Sequence, residues 1–153
     1  MGKIIIRAAV KADLPILKEF EQGIISTERP FNSSLKSEKI CYYDIGALIT
    51  GDNSTVVVAE EDGVLVGSGY ARIKESKAHL IHDFHCYLGF MYVASSHRGR
   101  GVNQLVIQEL IKWGKLQGMH DFYLEAYADN SSALKAYEKI GFKTSLVEMK
   151  LSQ

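Results

Sequence analysis

The chain is short of cysteine, proline, net charge and long apolar runs, and each shortage excludes a class of protein. Its 153 residues include two cysteines and two prolines. Cys41 and Cys86 are too few for a disulfide framework, and their spacing matches no metal-binding motif. Lysine plus arginine and aspartate plus glutamate are balanced at 18 each, so no overall positive field is present to hold nucleic acid or an anionic membrane.

The start of the sequence has no long hydrophobic segment. Three consecutive isoleucines precede Arg7, and this run is too short for a signal-peptide core or for a membrane span of about 20 residues. We therefore expect a cytoplasmic protein with reduced thiols and with no membrane or nucleic-acid partner. A length of 153 residues with 46% hydrophobic content predicts a single domain over residues 1–153.

Hydrophobic periodicity predicts a mixed α/β domain, with antiparallel strands first and a strand-helix-strand unit after them. The Asp62-Gly63 pair between two β-branched runs is typical of a hairpin turn. The predicted helices cover 13–28, 33 or 34 to 49, 102–117 and 130–141. The predicted strands cover 3–10, the two sides of the Asp62-Gly63 turn, a segment ending at 94, 120–128 and 142–151.

The segment HRGRGVN, residues 97–103, joins the end of an apolar strand to the start of an amphipathic helix. A glycine-rich turn at this place presents unpaired backbone N–H groups and the positive end of the helix dipole at one point, which suits an anion. Arg98 and Arg100 add charge and hydrogen-bond donors that suit a phosphate. An ordinary turn with solvated arginines has the same pattern, so the loop alone leaves both interpretations open.

Two stretches of the sequence carry a resemblance to a known family. YVASSHRGRGVNQLVIQELIKWG is followed by YLEAYADNSSALKAYEKIGF, and together they resemble the GNAT superfamily of acetyl-CoA-dependent N-acetyltransferases. The pyrophosphate loop of that family has Gln or Arg first, Gly three positions later, and Gly or Ala two positions after that. Arg98 and Gly101 match this loop, whereas Asn103 replaces its last glycine or alanine.

The resemblance implies a fold and a cosubstrate. The fold would be a GNAT-like mixed sheet of about six to seven strands, with an antiparallel N-terminal part, a parallel strand-helix-strand core and about four helices. Acetyl-CoA would bind with its pyrophosphate on the loop amides and its pantetheine arm along the strand before the loop. A homodimer is a further expectation from the resemblance. The implied cofactor-binding residues are Met91, Val93, Arg98, Gly99, Arg100, Gly101, Val102, Asn103 and Asn130.

The resemblance also implies roles in catalysis. A backbone N–H near Val93, freed where neighbouring strands diverge, would stabilise charge on the thioester oxygen. Tyr137 would lie near the sulfur atom, and a tyrosine pKa of ~10 permits proton donation to a departing thiolate whose thiol pKa is ~8.5. Residues matching the family motif also have simpler explanations, because Asn130 is a good helix N-cap and Tyr137 shares the helical spacing of a core position with Ile140.

The sequence does not single out a general base. An amine attacks only when it is neutral, whereas a lysine-type amine has a pKa of ~10.4, so a base or water has to take its proton. The segment LIHDFHCY contains clustered ionisable groups, but two histidines and one aspartate lack a convincing ligand geometry, and no metal is expected. The candidates for the base are His82, Asp83, His85, Glu125, Glu28 and water.

Two functions follow as alternatives. The first is an enzyme that moves an acetyl group from acetyl-CoA to a primary amine of a small molecule or protein, by direct attack in a ternary complex. The second is a catalytically weak module that binds acyl-CoA as a sensor or scaffold, which Asn103 and the missing obvious base favour. No pattern in the sequence identifies the acceptor or the preferred acyl chain.

Overall fold

A computed structural model describes residues 2–153 of the protein. Five strands form one sheet in the order β1-β2-β3-β4-β5. The first four strands pair antiparallel with their neighbours, and β5 is parallel to β4. The strands are β1 (Ile4–Ala8), β2 (Ser54–Glu61), β3 (Val64–Glu75), β4 (Phe84–Val93) and β5 (Phe122–Tyr123), and the helices are α1 (Leu14–Glu28), α2 (Ile45–Thr50), α3 (Val102–Leu116) and α4 (Ser131–Ile140).

Helices cover both faces of the sheet because its central strands are apolar on both sides. In β2, Val56 and Val58 belong to the core cluster that α1 and α2 cover. Val57 and Ala59, which alternate with them, belong to the cluster that α3 covers. This alternation follows from the two-residue period of a strand, and it produces two separate cores on a single sheet.

The helix α3 lies close to the sheet because glycines stand at the contact points. A Cβ atom on Gly69 of β3 would lie 2.9 Å from side-chain atoms of Leu110 and Val106. A Cβ atom on Gly114 of α3 would lie 2.5 Å from the Phe122 ring. Side chains at these positions would push α3 away from the sheet, so the glycines fix the height of the helix above β3, β4 and β5.

The hairpin prediction is confirmed, since Glu61 pairs with Val64 across the turn. Asp62 and Gly63 both have positive φ, 52° and 79°, as the commonest two-residue hairpin turns require. None of the helices within residues 2–153 has the length and apolar character needed to cross a membrane.

Across residues 2–153 the sheet has five strands, so the expectation of six to seven was wrong. The predicted strand over 120–128 pairs only at Phe122–Tyr123, and the segment 142–151 forms no strand. Alternating side chains do not suffice for a strand, because backbone groups also need a neighbouring edge. The segment finds no such edge within the described chain, and its large apolar side chains are exposed at Leu146, Val147, Met149 and Leu151.

The second predicted helix is also much shorter than expected, since α2 begins only at Ile45. The N–H groups of Tyr42 and Tyr43 both donate to Glu21 Oε2 at 2.8 Å. These donors hold the segment before α2 against α1 in a non-helical form. Asp44 then caps α2 by accepting from the Ala47 N–H at 3.2 Å.

Replacing Gly114 with alanine is expected to destabilise the protein. The new methyl group would lie 2.5 Å from the Phe122 ring, and overpacking costs about 1–3 kcal/mol, which exceeds the ~0.5–1 kcal/mol that alanine gains over glycine in a helix. The free energy of unfolding in urea measures the effect. The matched control is Gly46→Ala in α2, where the new methyl group would meet side-chain atoms of Asp44 and Leu14 only at 3.9 and 4.0 Å, so stability should hold or rise. Equal stabilities of the two variants would contradict the packing argument.

Candidate active site

The strands β4 and β5 pair over two positions and then separate. Cys86 pairs with Phe122 and Tyr87 with Tyr123. The Cys86 N–H donates towards β5, to the Asp121 oxygen at 2.9 Å, whereas the Ala94 N–H donates towards β3, to the Val66 oxygen at 2.8 Å. We call the space between Leu88–Val93 and the segment 124–127 the wedge. Because successive N–H groups of a strand point to opposite sides, the Val93 N–H is directed into the wedge.

A bulge in β4 re-aims the residues that border the wedge. The register with β3 shifts between Ser68 and Tyr70, and Phe90 has a φ of 59°, which is uncommon for a residue with a side chain. Phe90 packs in the core beneath α1, and Met91 packs against the α3 side. Bulges commonly re-aim side chains next to active sites, and this one brings Met91 and Val93 along the wedge.

The loop after β4 ends in a helix N-terminus that is open to an anion. Gly99 and Gly101 have φ values of 77° and 78°, a region that favours glycine. Gly101 is the N-cap of α3, and no side chain caps the helix. A Cβ atom on either glycine would meet nothing within 4 Å. The loop thus has open space beside both glycines, and no side chain occupies the N–H groups of the first turn of α3, starting at Val102, an arrangement that suits a pyrophosphate.

The basic side chains of this loop already have hydrogen-bond partners within the protein. Arg100 Nη2 lies 2.9 Å from Glu61 Oε2, and His97 Nε2 lies 3.1 Å from the other oxygen of the same carboxylate. Hydrogen bonds from His97 and then Arg100 lower the pKa of Glu61. Arg98 Nε donates to the Val93 oxygen at 3.3 Å. The two arginines thus fasten the loop to β2 and to the end of β4, and the backbone amides remain as the free donors.

Asn103 stands in the first turn of α3 with an unsatisfied group. Its side-chain oxygen Oδ1 is buried and has no hydrogen-bond partner among residues 2–153. A phosphate offers only acceptors at neutral pH, so this oxygen cannot bond to it directly. Any favourable contact of the side chain with a phosphate has to come from its Nδ2 hydrogens.

The helix α4 places Asn130 and Tyr137 near the wedge. Asn130 caps α4 by accepting from the Ala133 N–H at 3.2 Å, so the capping explanation is confirmed. Tyr137 is partly buried, and its ring meets the Phe142 ring edge-on at 6.2 Å. Burial first, and then the charge of Glu28, raise the pKa of Tyr137 to about 12. The hydroxyl is therefore protonated at neutral pH and available as a proton donor.

Glu28 is the candidate base that the fold brings towards Tyr137. It ends α1 and is partly buried. Burial raises the pKa of its carboxyl, while the Tyr42 hydroxyl beside it opposes the shift. The Tyr42 oxygen is itself buried and has no hydrogen bond of normal geometry among the described residues. The charge of Glu28 on α1 thus acts on the pKa of Tyr137 on α4.

The remaining candidate bases lie elsewhere or have other partners. Ser76 Oγ lies 2.7 Å from His82 Nδ1 and 2.8 Å from His85 Nδ1. This cluster stands at the start of β4, at the end opposite the glycine-rich loop, and Asp83 is exposed there. Glu125 is exposed and accepts from the Tyr87 hydroxyl at 2.9 Å. Within residues 2–153, no group of three or more His, Cys, Asp or Glu side chains could hold a metal ion.

A cleft on the α1 and α2 side of the sheet was missed by the sequence interpretation. Its volume is about 620 Å³, and four tyrosines line it together with three carboxylates and two cations. These residues come from separate elements, and the adjacent Tyr42-Tyr43 pair was the only signal in the sequence. We call it the tyrosine cleft, and its lining includes Tyr42, Tyr43, Tyr70, Tyr87, Asp44, Asp52, Glu125, Arg72 and Lys74.

Curated N-acetyltransferases are similar in sequence to parts of this chain. The uncharacterized N-acetyltransferase YobR of Bacillus subtilis is 38% identical over 55 residues, which are 36% of this chain and 22% of YobR. The chain spans between 22% and 37% of the length of three curated relatives that it matches.

Solved structures share the fold over nearly the whole chain. A tetramutant of the BH1408 protein from Bacillus halodurans superimposes with a TM-score of 0.85 at 18% identity, covering 97% of this chain and 99% of that one. A predicted acetyltransferase with acetyl-CoA from Clostridium acetobutylicum has a TM-score of 0.76 at 16% identity, over 98% of this chain and 96% of that one.

A family model matches residues 21–142, a range that includes the helix α1 from its middle, the whole sheet after β1, the glycine-rich loop and α4. This range is most of the chain and contains every residue named above as part of the wedge. The chain belongs to the acetyltransferase (GNAT) family.

Proposed function

We propose that the protein transfers an acetyl group from acetyl-CoA to a primary amine of a small molecule or protein, by direct attack in a ternary complex. The observation that carries the proposal is the uncapped N-terminus of α3 at the open end of the wedge. Family membership and the acetyl-CoA named with the Clostridium acetobutylicum structure support it. The chain would act as a single domain in the cytoplasm, without a nucleic-acid partner.

The residues present fit acetyl-CoA along one continuous path. The amides from Arg98 to Asn103 would hold the pyrophosphate, because Gly99 and Gly101 leave the approach to them open. The unpaired edge of β4 at Met91 and Val93 would bind the pantetheine arm. Asn130 uses its side-chain oxygen to cap α4, which leaves its Nδ2 hydrogens for the coenzyme.

The proposed reaction needs two proton transfers, and a different side chain carries out each one. When bound, acetyl-CoA would supply a thioester carbonyl carbon as the electrophile; the amine nitrogen would form a C–N bond with it, and the C–S bond would break to release coenzyme A. Glu28 accepts the proton that the amine loses, and Tyr137 donates one to the departing sulfur. The Val93 N–H donates to the carbonyl oxygen as negative charge develops there.

A catalytically weak acyl-CoA-binding module is the second candidate, and the loop favours it in one respect. Arg98 and Arg100 have partners within the protein, and Asn103 stands where the family loop has glycine or alanine. A screen of primary amines that measures release of free thiol separates the two functions. Rapid release with one amine supports the enzyme, whereas tight binding of acetyl-CoA without release over the panel supports the module.

A homodimer would cover the exposed apolar side chains of residues 146–151.

Substitution of Gly101 with valine is expected to weaken coenzyme A binding about tenfold or more. A residue with a side chain costs ~1–2 kcal/mol in the left-handed region, and the valine methyl groups would enter the space in front of the amides. Arg98→Ala and Arg100→Ala should weaken binding less, because both side chains have partners in the protein. Calorimetric titration with coenzyme A measures the three affinities.

Gly63→Val is the matched control for this experiment. Gly63 has a φ of 79° and open space around it, but it lies in the hairpin turn away from the loop. Its valine variant should lose stability and retain coenzyme A affinity. Parental affinity in Gly101→Val would overturn the assignment of the loop.

Removal of the Tyr137 hydroxyl in Tyr137→Phe should lower kcat by about 10², the low end for a general acid, because a thiolate already leaves readily. Coenzyme A affinity and the melting temperature should change little, since the ring keeps its packing. Steady-state thiol release and thermal unfolding are measured together, with Tyr123→Phe as control. A parental kcat while thiol release is rate-limiting would make Tyr137 a core tyrosine only.

Glu28→Gln is expected to lower kcat by about 10²–10⁴ and to remove one limb of the pH profile. A base acts only when ionised, and burial raises the pKa of Glu28. The parental rate should therefore fall as the pH drops through that raised pKa, and the glutamine variant should lack this fall. Retention of the acidic limb in Glu28→Gln, and its loss in Glu125→Gln, would transfer the role to Glu125.

A further inference from the structure

One end of the tyrosine cleft holds an ammonium group of the protein itself. Lys74 Nζ lies 4.9 Å from the centre of the Tyr87 ring, a position in which the face of an aromatic ring attracts a cation. The Tyr87 hydroxyl donates to Glu125 Oε1 at 2.9 Å. An aromatic face and a carboxylate therefore stand side by side, and this pair is suited to a positively charged nitrogen.

The opposite end of the row of tyrosines lies next to the candidate base. Neighbouring rings from Tyr42 through Tyr43 and Tyr70 to Tyr87 are separated by 5.7, 5.5 and 6.3 Å. Tyr42 lines the cleft, and its buried hydroxyl lies beside Glu28, which does not itself line the cleft. An elongated molecule in the cleft would thus have one end at Tyr42, the neighbour of the candidate base, and the other at Tyr87.

The charge of the cleft favours a cationic ligand. Three carboxylates line it against two cations. Asp44 gives one oxygen to the cap of α2, and neither Asp44 nor Asp52 forms a salt bridge within residues 2–153. If a ligand displaces Lys74 from the Tyr87 ring, three carboxylates and one cation remain around it, so the cleft is more negative than before.

On the basis of the proposed function, we propose that the tyrosine cleft selects acceptors that carry two amines. The reacting amine lies beside Tyr42, the cleft residue that neighbours Glu28, and the second, as an ammonium, binds the Tyr87 ring and Glu125 in the place that Lys74 occupies. Lys74 is then a competitor for the acceptor, held by the same ring. Linear diamines and polyamines are the class of molecule that this arrangement fits.

A matched series of acceptors isolates the second amine. The compounds 1,8-diaminooctane, 1-aminooctane and 8-aminooctanoic acid share the reacting end and differ only in having a cation, no charge or an anion at the other. The diamine should have a kcat/KM about tenfold above that of the monoamine, and the amino acid should be the poorest of the three. Equal or higher kcat/KM for 1-aminooctane or 8-aminooctanoic acid would overturn the proposal.

Variants locate the effect at Tyr87 and Glu125. Glu125→Gln should bring the ratio of kcat/KM for diamine over monoamine towards one, and Lys74→Met should lower the KM for the diamine because the competing ammonium is gone. Glu75→Gln is the control, since Glu75 is an exposed carboxylate at the end of β3 and does not line the cleft. A diamine preference that survives Glu125→Gln, or a higher diamine KM in Lys74→Met, would contradict the proposed anchor.

Binding without acetyl-CoA separates this proposal from the proposed function. Calorimetric titration of 1,8-diaminooctane should show an affinity that Glu125→Gln weakens and Glu75→Gln preserves. If the diamine binds in this way while no amine of the series releases thiol, the acetyl transfer proposal fails and the cleft assignment holds. If thiol is released with 1-aminooctane while the diamine neither binds nor reacts better, acetyl transfer holds and the cleft assignment fails.

Discussion

The backbone hydrogen bonds between β4 and β5 end after the pair of Tyr87 and Tyr123, and the geometry of the candidate site depends on this early end. Continued pairing would satisfy the edge of β4 and leave no N–H group directed into the wedge at Val93. The bulge at Phe90 adds to the effect, because it re-aims the backbone at the point where β5 has already separated. An unpaired strand edge inside a domain is costly in buried backbone groups, and a ligand that lies along it can satisfy them.

The position of α3 follows from the same sheet. Gly69 and Gly114 leave room for the side chains of Leu110 and Val106 and for the Phe122 ring, which lie against them, so α3 packs close to β3 and β5. Glu61 then ties Arg100 and His97 to the end of β2. The loop is therefore held in place by contacts of its basic side chains with the protein itself. The attraction for an anion then comes from the free amides and the dipole of α3.

The proposed base and acid come from helices on opposite faces of the sheet. Glu28 approaches from α1 on one face, and Tyr137 approaches from α4 on the other. Burial raises the pKa of both groups, so the Glu28 carboxylate binds a proton more tightly than an exposed one does, and the Tyr137 hydroxyl stays protonated at neutral pH. The tyrosine cleft opens on the α1 side, and the proposed path of acetyl-CoA lies on the α3 side, as a reaction between two bound molecules requires.

The sequence by itself determined the elements whose signals are local. These are the hairpin at Asp62-Gly63, the helices α1, α3 and α4, and the loop at Gly99 and Gly101, where positive φ favours glycine. Each depends on the period of a helix or the chemistry of a turn, which neighbouring residues specify. Only the tertiary structure decided where strands end, since the segment 142–151 has the alternation of a strand but lacks a partner edge. It alone brought Glu28 towards Tyr137 and joined four tyrosines in one cleft, because those residues are far apart in the chain and pKa values depend on burial and charge, which arise only when the helices pack on the sheet.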